Sequence, residues 1–291
     1  MTLASRRRRI ACLGTLAAIT LLVAPTASAF GQAAPAKPAT PATQPAKPSG
    51  PETAPAAEID AAAKKVLDRA ASLSLGPFAT DRSLKAIRMT GRMVMAAQGI
   101  DAPLTVAIDD KGRQAMTIEI PGFGMIRSGI SGDLGWSFNE MMGPSIMSAE
   151  ELEQQRSQAD LYADLDWGAR ASRIVHAGEV EITLPDATKR TCHKLVMSMR
   201  GGTEETHFYD VETGLRLQST MTQLVPGAGA VPITTTYSDY REIKGMNQPF
   251  LTTVRVGPQT QEMRLETVEV NPELPADTFK VPEAVQKVAG G

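Results

Sequence analysis

The side chains best suited to hold a metal are few: His176, His193 and His207, with Cys192 beside one of them. Gly201-Gly202 separates two alternating runs and predicts a β-hairpin with a two-residue turn, Arg200 opposite Thr203. In that register His193 falls on the face opposite Cys192 and His207. The latter two share a face, about four residues apart along the ladder, roughly 13 Å at strand rise. Zinc ligands converge on an ion about 2.0–2.3 Å from each of them, so no metal site is expected. Cys192 reads as a half-buried strand residue with an ordinary thiol. Carboxylates cluster at Asp160, Asp164 and Asp166, near the end of a helix candidate, and read as a solvated surface without a paired general acid. No zinc-protease helix, serine elbow, phosphate loop or dinucleotide fingerprint is present. Gly122-Phe123-Gly124 reads as a turn. No catalytic residue, no metal and no cofactor is predicted.

Methionine is the unusual residue, with 14 in the chain against 4% aromatics. Most fall where strands or their flanking loops are expected. Methionine is flexible and polarizable and adapts to irregular shapes. Two readings follow: a deformable apolar cavity on the concave side of a sheet, or a core that uses methionine to fill gaps. On the first reading the ligand-facing residues are Met89, Met93, Met95, Trp136, Met197 and Met199. Trp136 also has an N–H that wants a partner. It would sit at the cavity mouth or anchor a helix on the sheet.

The elements that must position these residues begin after two leading segments. Residues 1–29 read as a signal peptide. Arg6 to Arg9 form a basic start, Ile10 to Ala24 is apolar and too short to span hydrocarbon, and Ala27-Ser28-Ala29 is a cleavage signal. An uncleaved anchor is the other reading, but the expected mature chain has no transmembrane helix and lies in the periplasm or cell envelope. Residues 30–56 contain seven prolines and little that could pack. They read as a disordered linker, either a stand-off tether or a passive terminus. With Cys12 removed, the mature chain keeps one cysteine and cannot form an internal disulfide. Thirty basic against 32 acidic residues argues against a nucleic-acid partner.

A domain is expected over 57–285, with a flexible tail at 286–291. Its first helix spans Glu58 to Leu75, with Ile59, Ala62, Ala63, Val66, Ala70 and Leu73 on one face, and Gly76-Pro77 as the stop. The period then changes to two. Ile87, Met89, Met93 and Met95 share one face, and Asp109 to Gly112 turns a strand ending at Ile108 into one carrying Met116, Ile118 and Ile120. A glycine-rich stretch follows and reads as a mobile loop over the cavity, with Gly122, Gly124, Gly129, Gly132 and Gly135. Ser148 to Glu151 fits a capping box opening a second helix, with Leu152, Ala159, Tyr162 and Leu165 as its apolar side. In the Gly201-Gly202 hairpin, Leu195, Met197, Met199 and Phe208 take the dry face, and Glu205 and His207 the wet one. Strands follow at 215–223, 232–243, 249–257 and 261–270. Two or three helices and nine or ten strands in this order form an α+β domain with a long antiparallel meander.

Three segments together resemble the LolA/LolB-like superfamily of outer-membrane lipoprotein carriers and their envelope relatives. The first is Gly132-Asp133-Leu134-Gly135-Trp136 with Met141 to Pro144 and the helix at Glu150-Glu151-Leu152. The second is Tyr209-Asp210 with Thr213-Gly214-Leu215, then Thr236 to Arg241 and Gly245 to Pro249. The third is Val270-Asn271-Pro272 with Asp277, Phe279 and Pro282. The resemblance implies an incomplete antiparallel β-barrel wrapped around helices, with an apolar concave face that shields acyl chains. It implies non-enzymatic binding or carriage of a lipid or lipidated protein; burial of about 0.8 kcal/mol per methylene is enough to drive such binding. The alternative is a structural or interaction module of the envelope, with a closed core and an envelope protein as partner.

Overall fold

A computed structural model describes residues 56–225 and 229–290. Among these, fourteen strands form one sheet: β1 (Glu58–Ile59), β2 (Ala86–Met95), β3 (Ile100–Asp109), β4 (Gln114–Ile120), β5 (Gly124–Ser131), β6 (Leu134–Asn139), β7 (Gly143–Ile146), β8 (Ala171–Thr183), β9 (Lys189–Met199), β10 (Glu204–Asp210), β11 (Arg216–Val225), β12 (Gly229–Ile243), β13 (Met246–Val256) and β14 (Gln259–Val270). Helices α1 (Ala61–Leu75), α2 (Phe78–Asp81), α3 (Ala149–Gln158), α4 (Trp167–Arg170) and α5 (Glu283–Ala289) complete the described chain. The strand order is β1-β8-β9-β10-β11-β12-β13-β14-β2-β3-β4-β5-β6-β7. Two meanders are therefore joined where β14 pairs antiparallel with β2. Among the described residues only β1 and β8 pair in parallel. β1 and β7 stand at opposite ends of the sheet and do not pair. The result is an incomplete antiparallel barrel with its helices, as expected. The expected signal peptide and most of the expected linker lie outside the described residues.

Strand β2 shows how the pattern builds the core. Ile87, Met89, Met93 and Met95 are all buried, while Arg88, Thr90 and Arg92 between them are partly exposed. Gly91 keeps this period where β14 bulges at Leu265–Thr267, because a Cβ there would collide with the Arg264 carbonyl oxygen. Two apolar clusters result. The larger contains Met89, Leu104, Ile118, Leu161, Met246 and Phe250. The smaller joins Ala63 and Leu67 of α1 to Trp167, Ile174, Leu195 and Met197.

Several elements differ from the sequence reading. Helix α1 starts three residues later, because Glu58 and Ile59 extend the sheet and the Asp60 carboxylate caps the helix by accepting from Ala63 N at 2.6 Å. Its buried face is Ala63, Leu67, Ala71 and Leu75, which is rotated from the expected one. The glycine-rich stretch is not a mobile loop but strands β5 to β7. Gly129 is small because a Cβ would collide with the Gln114 carbonyl oxygen, with the Trp136 ring close by, and Gly135 because Met147 and Leu152 lie over it. The residues expected as a tail from 286 continue as α5 up to Ala289, with Val285 fully buried. Among the described residues five α-helices, a short 3-10 turn at Ala96–Gln98 and fourteen strands replace the smaller numbers expected. The capping box is present: Ser148 Oγ accepts from Glu151 N at 3.2 Å, and Glu151 Oε2 from Ser148 N at 2.7 Å. Helix α3 ends at Gln158, so Tyr162 and Leu165 pack from the turn that follows.

The β9–β10 hairpin carries the most consequential difference. Met199 N donates to Thr203 O and Gly202 N to Met199 O, so the loop is Arg200-Gly201-Gly202, with Gly202 at φ 84. Three-residue hairpin loops commonly end on such a left-handed residue. Met199 rather than Arg200 faces Thr203, and a one-residue shift moves every side chain of β10 to the other face. His207 and Glu205 lie opposite Leu195 and Met197, on the dry side.

Candidate functional site

The corrected register creates a buried polar cluster inside the barrel. His207 is 2% exposed. Its Nε2 lies 2.9 Å from Glu205 Oε2, and its Nδ1 lies 3.4 Å from both Tyr209 Oη and Arg216 Nη1. Burial pushes the His207 imidazole below its ordinary pKa. The network fits a neutral ring that donates from Nε2 to Glu205 and accepts at Nδ1. Burial pushes Glu205 up, but the hydrogen bond with His207 and the Arg170 and Arg216 guanidiniums carry it below the usual carboxylate value. Trp167 meets His207 edge-on at 5.5 Å, and Arg170 stacks on Trp167 at 4.6 Å. Arg216 stacks on Tyr237 at 4.5 Å.

Next to this cluster a cavity of about 70 Å3 opens between α1 and the sheet. Leu75, Ile87, Met89, Ile108, Leu161 and Met246 make it apolar. Asp164, Tyr209, Arg216 and Tyr240 supply its polar side, with Ser74, Asn247 and Gln248 also in the wall. Most of these polar groups are already engaged. Ser74 Oγ donates to Asp164 Oδ2 at 2.8 Å. Asn247 and Gln248 donate to the carbonyls of Leu73 and Ser74, two acceptors that the end of α1 cannot satisfy itself. Tyr240 Oη donates to Arg216 O. Arg216 Nη2 is buried with no partner among the described residues.

Of the six residues expected to face a ligand, Met89 lines this cavity. Met93 and Met95 lie farther along β2 in the same core cluster. Met197 belongs to the smaller cluster, with Met199 packed against it. Trp136 is 4% exposed, lies over Gly129, and leaves its Nε1 without a partner among the described residues. Met141 and Met142 are exposed at the β6–β7 turn, so the methionines divide between core and surface. The polar cluster was hidden from sequence reasoning by the hairpin register alone.

The histidines and carboxylates also differ from expectation. His207 shares the interior face through Leu195, whereas Cys192 pairs with Asp210 and is fully buried rather than half-buried. Burial, with Asp210 nearby, pushes the Cys192 thiol up to about 11. The described residues hold no group of three or more His, Cys, Asp or Glu placed to bind a metal. Of the three aspartates only Asp166 is exposed, as expected, while Asp160 and Asp164 are partly buried. Asp164 enters the cavity wall, Asp166 caps α4, and burial pushes Asp160 up to about 6 against the pull of Tyr162 N and Arg170.

The resembling segments turn out to be local structural devices. Asp210 Oδ1 accepts from both Thr213 N and Thr213 Oγ1, and Oδ2 accepts from Arg190 at 2.7 Å, which holds the turn into Gly214-Leu215. Asn271, at φ 53, accepts from Lys85 N and donates to Ser83 O, tying the end of β14 to the start of β2.

No family model matches the chain, and no curated protein does. Solved structures do. A LolA superfamily protein from Nitrosomonas europaea superposes with a TM-score of 0.50 at 11% identity, covering 75% of this chain and 97% of that one. A DUF1329 family protein from Desulfovibrio piger gives 0.51 at 10% identity, covering 75% and 96%. The fold is LolA-like. At this identity the likeness speaks for the fold, and the LolA-like sheet is what brings β2, β11 and β13 around one cavity. No helix among the described residues is long and apolar enough to cross a membrane.

Proposed function

We propose that this chain is an exported envelope protein that binds the acyl chain of a lipid or lipidated protein without catalysing a reaction on it. Residues 1–29 would direct export to the periplasm or cell envelope, with cleavage after Ala29. Residues 30–56 would act as a linker, and the domain beyond would carry the guest. The observation that carries the reading is the apolar cavity under α1, lined by Leu75, Ile87, Met89, Ile108, Leu161 and Met246. Its volume of about 70 Å3 is well below the roughly 300 Å3 at which ligand pockets begin. Binding therefore requires α1 to move off the sheet. The same movement would uncover Met197 and Met199, which pack with Ala63 and Leu67 of α1.

Detergent-free protein is expected to carry lipid in native mass spectrometry and to bind a fluorescent acyl probe. Met89→Trp, which fills the cavity, is expected to weaken the probe about tenfold or more while the circular dichroism spectrum is kept. The small volume also favours a second reading, a closed structural or protein-interaction module of the envelope. Absence of both co-purified lipid and probe binding would decide for that reading.

A further inference from the structure

The two histidines outside the polar cluster meet on neighbouring strands. His176 Nε2 lies 3.1 Å from His193 Nδ1, and Glu179 Oε1 lies 3.6 Å from that same Nδ1. A β-bulge brings the three together. His176 faces Leu195 and Glu179 faces His193, so Ala177 and Gly178 together oppose Lys194 alone. In a regular ladder Gly178 would face His193, and Glu179 would point to the other side of the sheet. The extra residue turns Glu179 to the side of both rings, and Gly178 takes the bend at φ 93. Asp60 holds the backbone at this point: its Oδ2 accepts from His176 N at 2.6 Å, while its Oδ1 caps α1.

This geometry suits a metal ion. Two nitrogens bound to one tetrahedral zinc stand about 3.3 Å apart, close to the separation of this pair. A metal takes the neutral imidazole. Burial and the neighbouring His176 hold His193 below its ordinary pKa, which keeps its ring neutral at neutral pH. Glu179 supplies negative charge beside the pair. Arg69 of α1 supplies the opposing positive charge, but it acts on His193 more weakly than Glu179 does and its guanidinium donates to the carbonyls of Val211 and Glu212. The site is open to solvent, since the side chains of His193 and Glu179 are 22% and 52% exposed. Cys192 takes no part, because adjacent strand residues point to opposite faces.

We infer that His176 and His193 form a two-histidine site for a borderline divalent ion such as zinc, with Glu179 balancing its charge. The described residues offer no complete set of three ligands, so water fills the remaining positions. The pair is not part of the cavity wall, and the inference is independent of the acyl-binding reading.

Isothermal titration calorimetry of the untagged protein with zinc chloride at neutral pH is expected to show one ion per chain. Magnesium should not bind, since it prefers oxygen ligands. His176→Gln and His193→Gln should each weaken zinc about tenfold or more, a loss that even an outer partner of a ligand produces. Glu179→Gln should weaken it by a smaller factor. Proton–nitrogen correlation spectra of the imidazoles in the wild type serve if a histidine variant does not fold. There zinc should shift His176 Nε2 and His193 Nδ1 and leave the His207 signals in place. Absence of zinc binding, equal binding of magnesium, or zinc binding that survives both histidine changes overturns the proposal. So does a zinc-induced shift confined to His207.

Discussion

Asp160 shows how a single side chain can carry an unfavourable charge inside this fold. Its Oδ1 accepts from Tyr162 N at 2.8 Å, while Oδ2 is buried without a partner among the described residues. Burial raises its pKa to about 6 from 3.8. The folded state therefore binds a proton more readily than the unfolded chain between about pH 4 and pH 6. Its contribution to stability is greatest at the acid end of that window and declines as pH rises through it. Asp160→Asn keeps an acceptor for Tyr162 and removes the charge. It is expected to stabilise the protein by about 1 kcal/mol above pH 6, a figure reduced for the solvent that reaches this half-buried group. Urea denaturation at pH 4.5 and 7.5 checks this: the gain should appear at the higher pH and shrink at the lower. Nothing in the spacing of Asp160, Asp164 and Asp166 marks one of them as buried. The turn that tucks Leu161 and Ala163 into the core decides it, and that turn depends on contacts distant in sequence.

Elements were legible wherever one face is dry and the turn chemistry is plain. β2, β3 and β4 follow from the alternation at Ile87–Met95 and the Asp109–Gly112 turn, and α3 follows from Ser148 and Glu151. β5 to β7 were not legible, because Gly129 and Gly135 look like loop residues until the Trp136 ring and Met147 are seen pressed against them. The β9–β10 register was missed for a related reason. Gly201-Gly202 suits either a two-residue or a three-residue loop, and the apolar pattern of β10 is too weak to choose. The observed loop places Gly202 at φ 84 with nothing within 4 Å of a would-be Cβ. The cost of a side chain there is thus one of backbone conformation, not space. Gly202→Val is expected to lower stability by about 1–2 kcal/mol, and Gly202→Asn by less, because asparagine tolerates the left-handed region. Equal losses for the two variants in urea denaturation would mean that the loop has another conformation.

At the scale of the whole molecule, the open barrel leaves α1 as the least firmly seated part of the interior. Its buried face offers two leucines and two alanines, together about 5–8 kcal/mol of apolar burial. The β2–β3–β4 region, by contrast, buries Met89, Met93, Leu104, Val106, Met116 and Ile118 at 3% exposure or less. The remaining ties of α1 are polar and reversible. Arg69 donates to the carbonyls of Val211 and Glu212, Asn247 and Gln248 hold the last turn, and Asp60 caps the first. Its C-terminal end is fixed more tightly, since Gly76 leaves no room for a Cβ against the Gly245 carbonyl. A swing of the helix about its Gly76 end would also release β1 from β8, because Ile59 and Asp60 join that strand directly to α1. Regions with little apolar burial open at lower free energy than the core around them. Hydrogen exchange should therefore be faster across 61–75 than across 86–109. Saturation with lauroylglycerol should change exchange in 61–75 more than in any strand, because Ala70, Ser74 and Leu75 of this helix wall the cavity. Exchange in 61–75 as slow as in β2 and β3, and unchanged by ligand, would show α1 to be a fixed part of a closed core and would leave a cavity too small for an acyl chain.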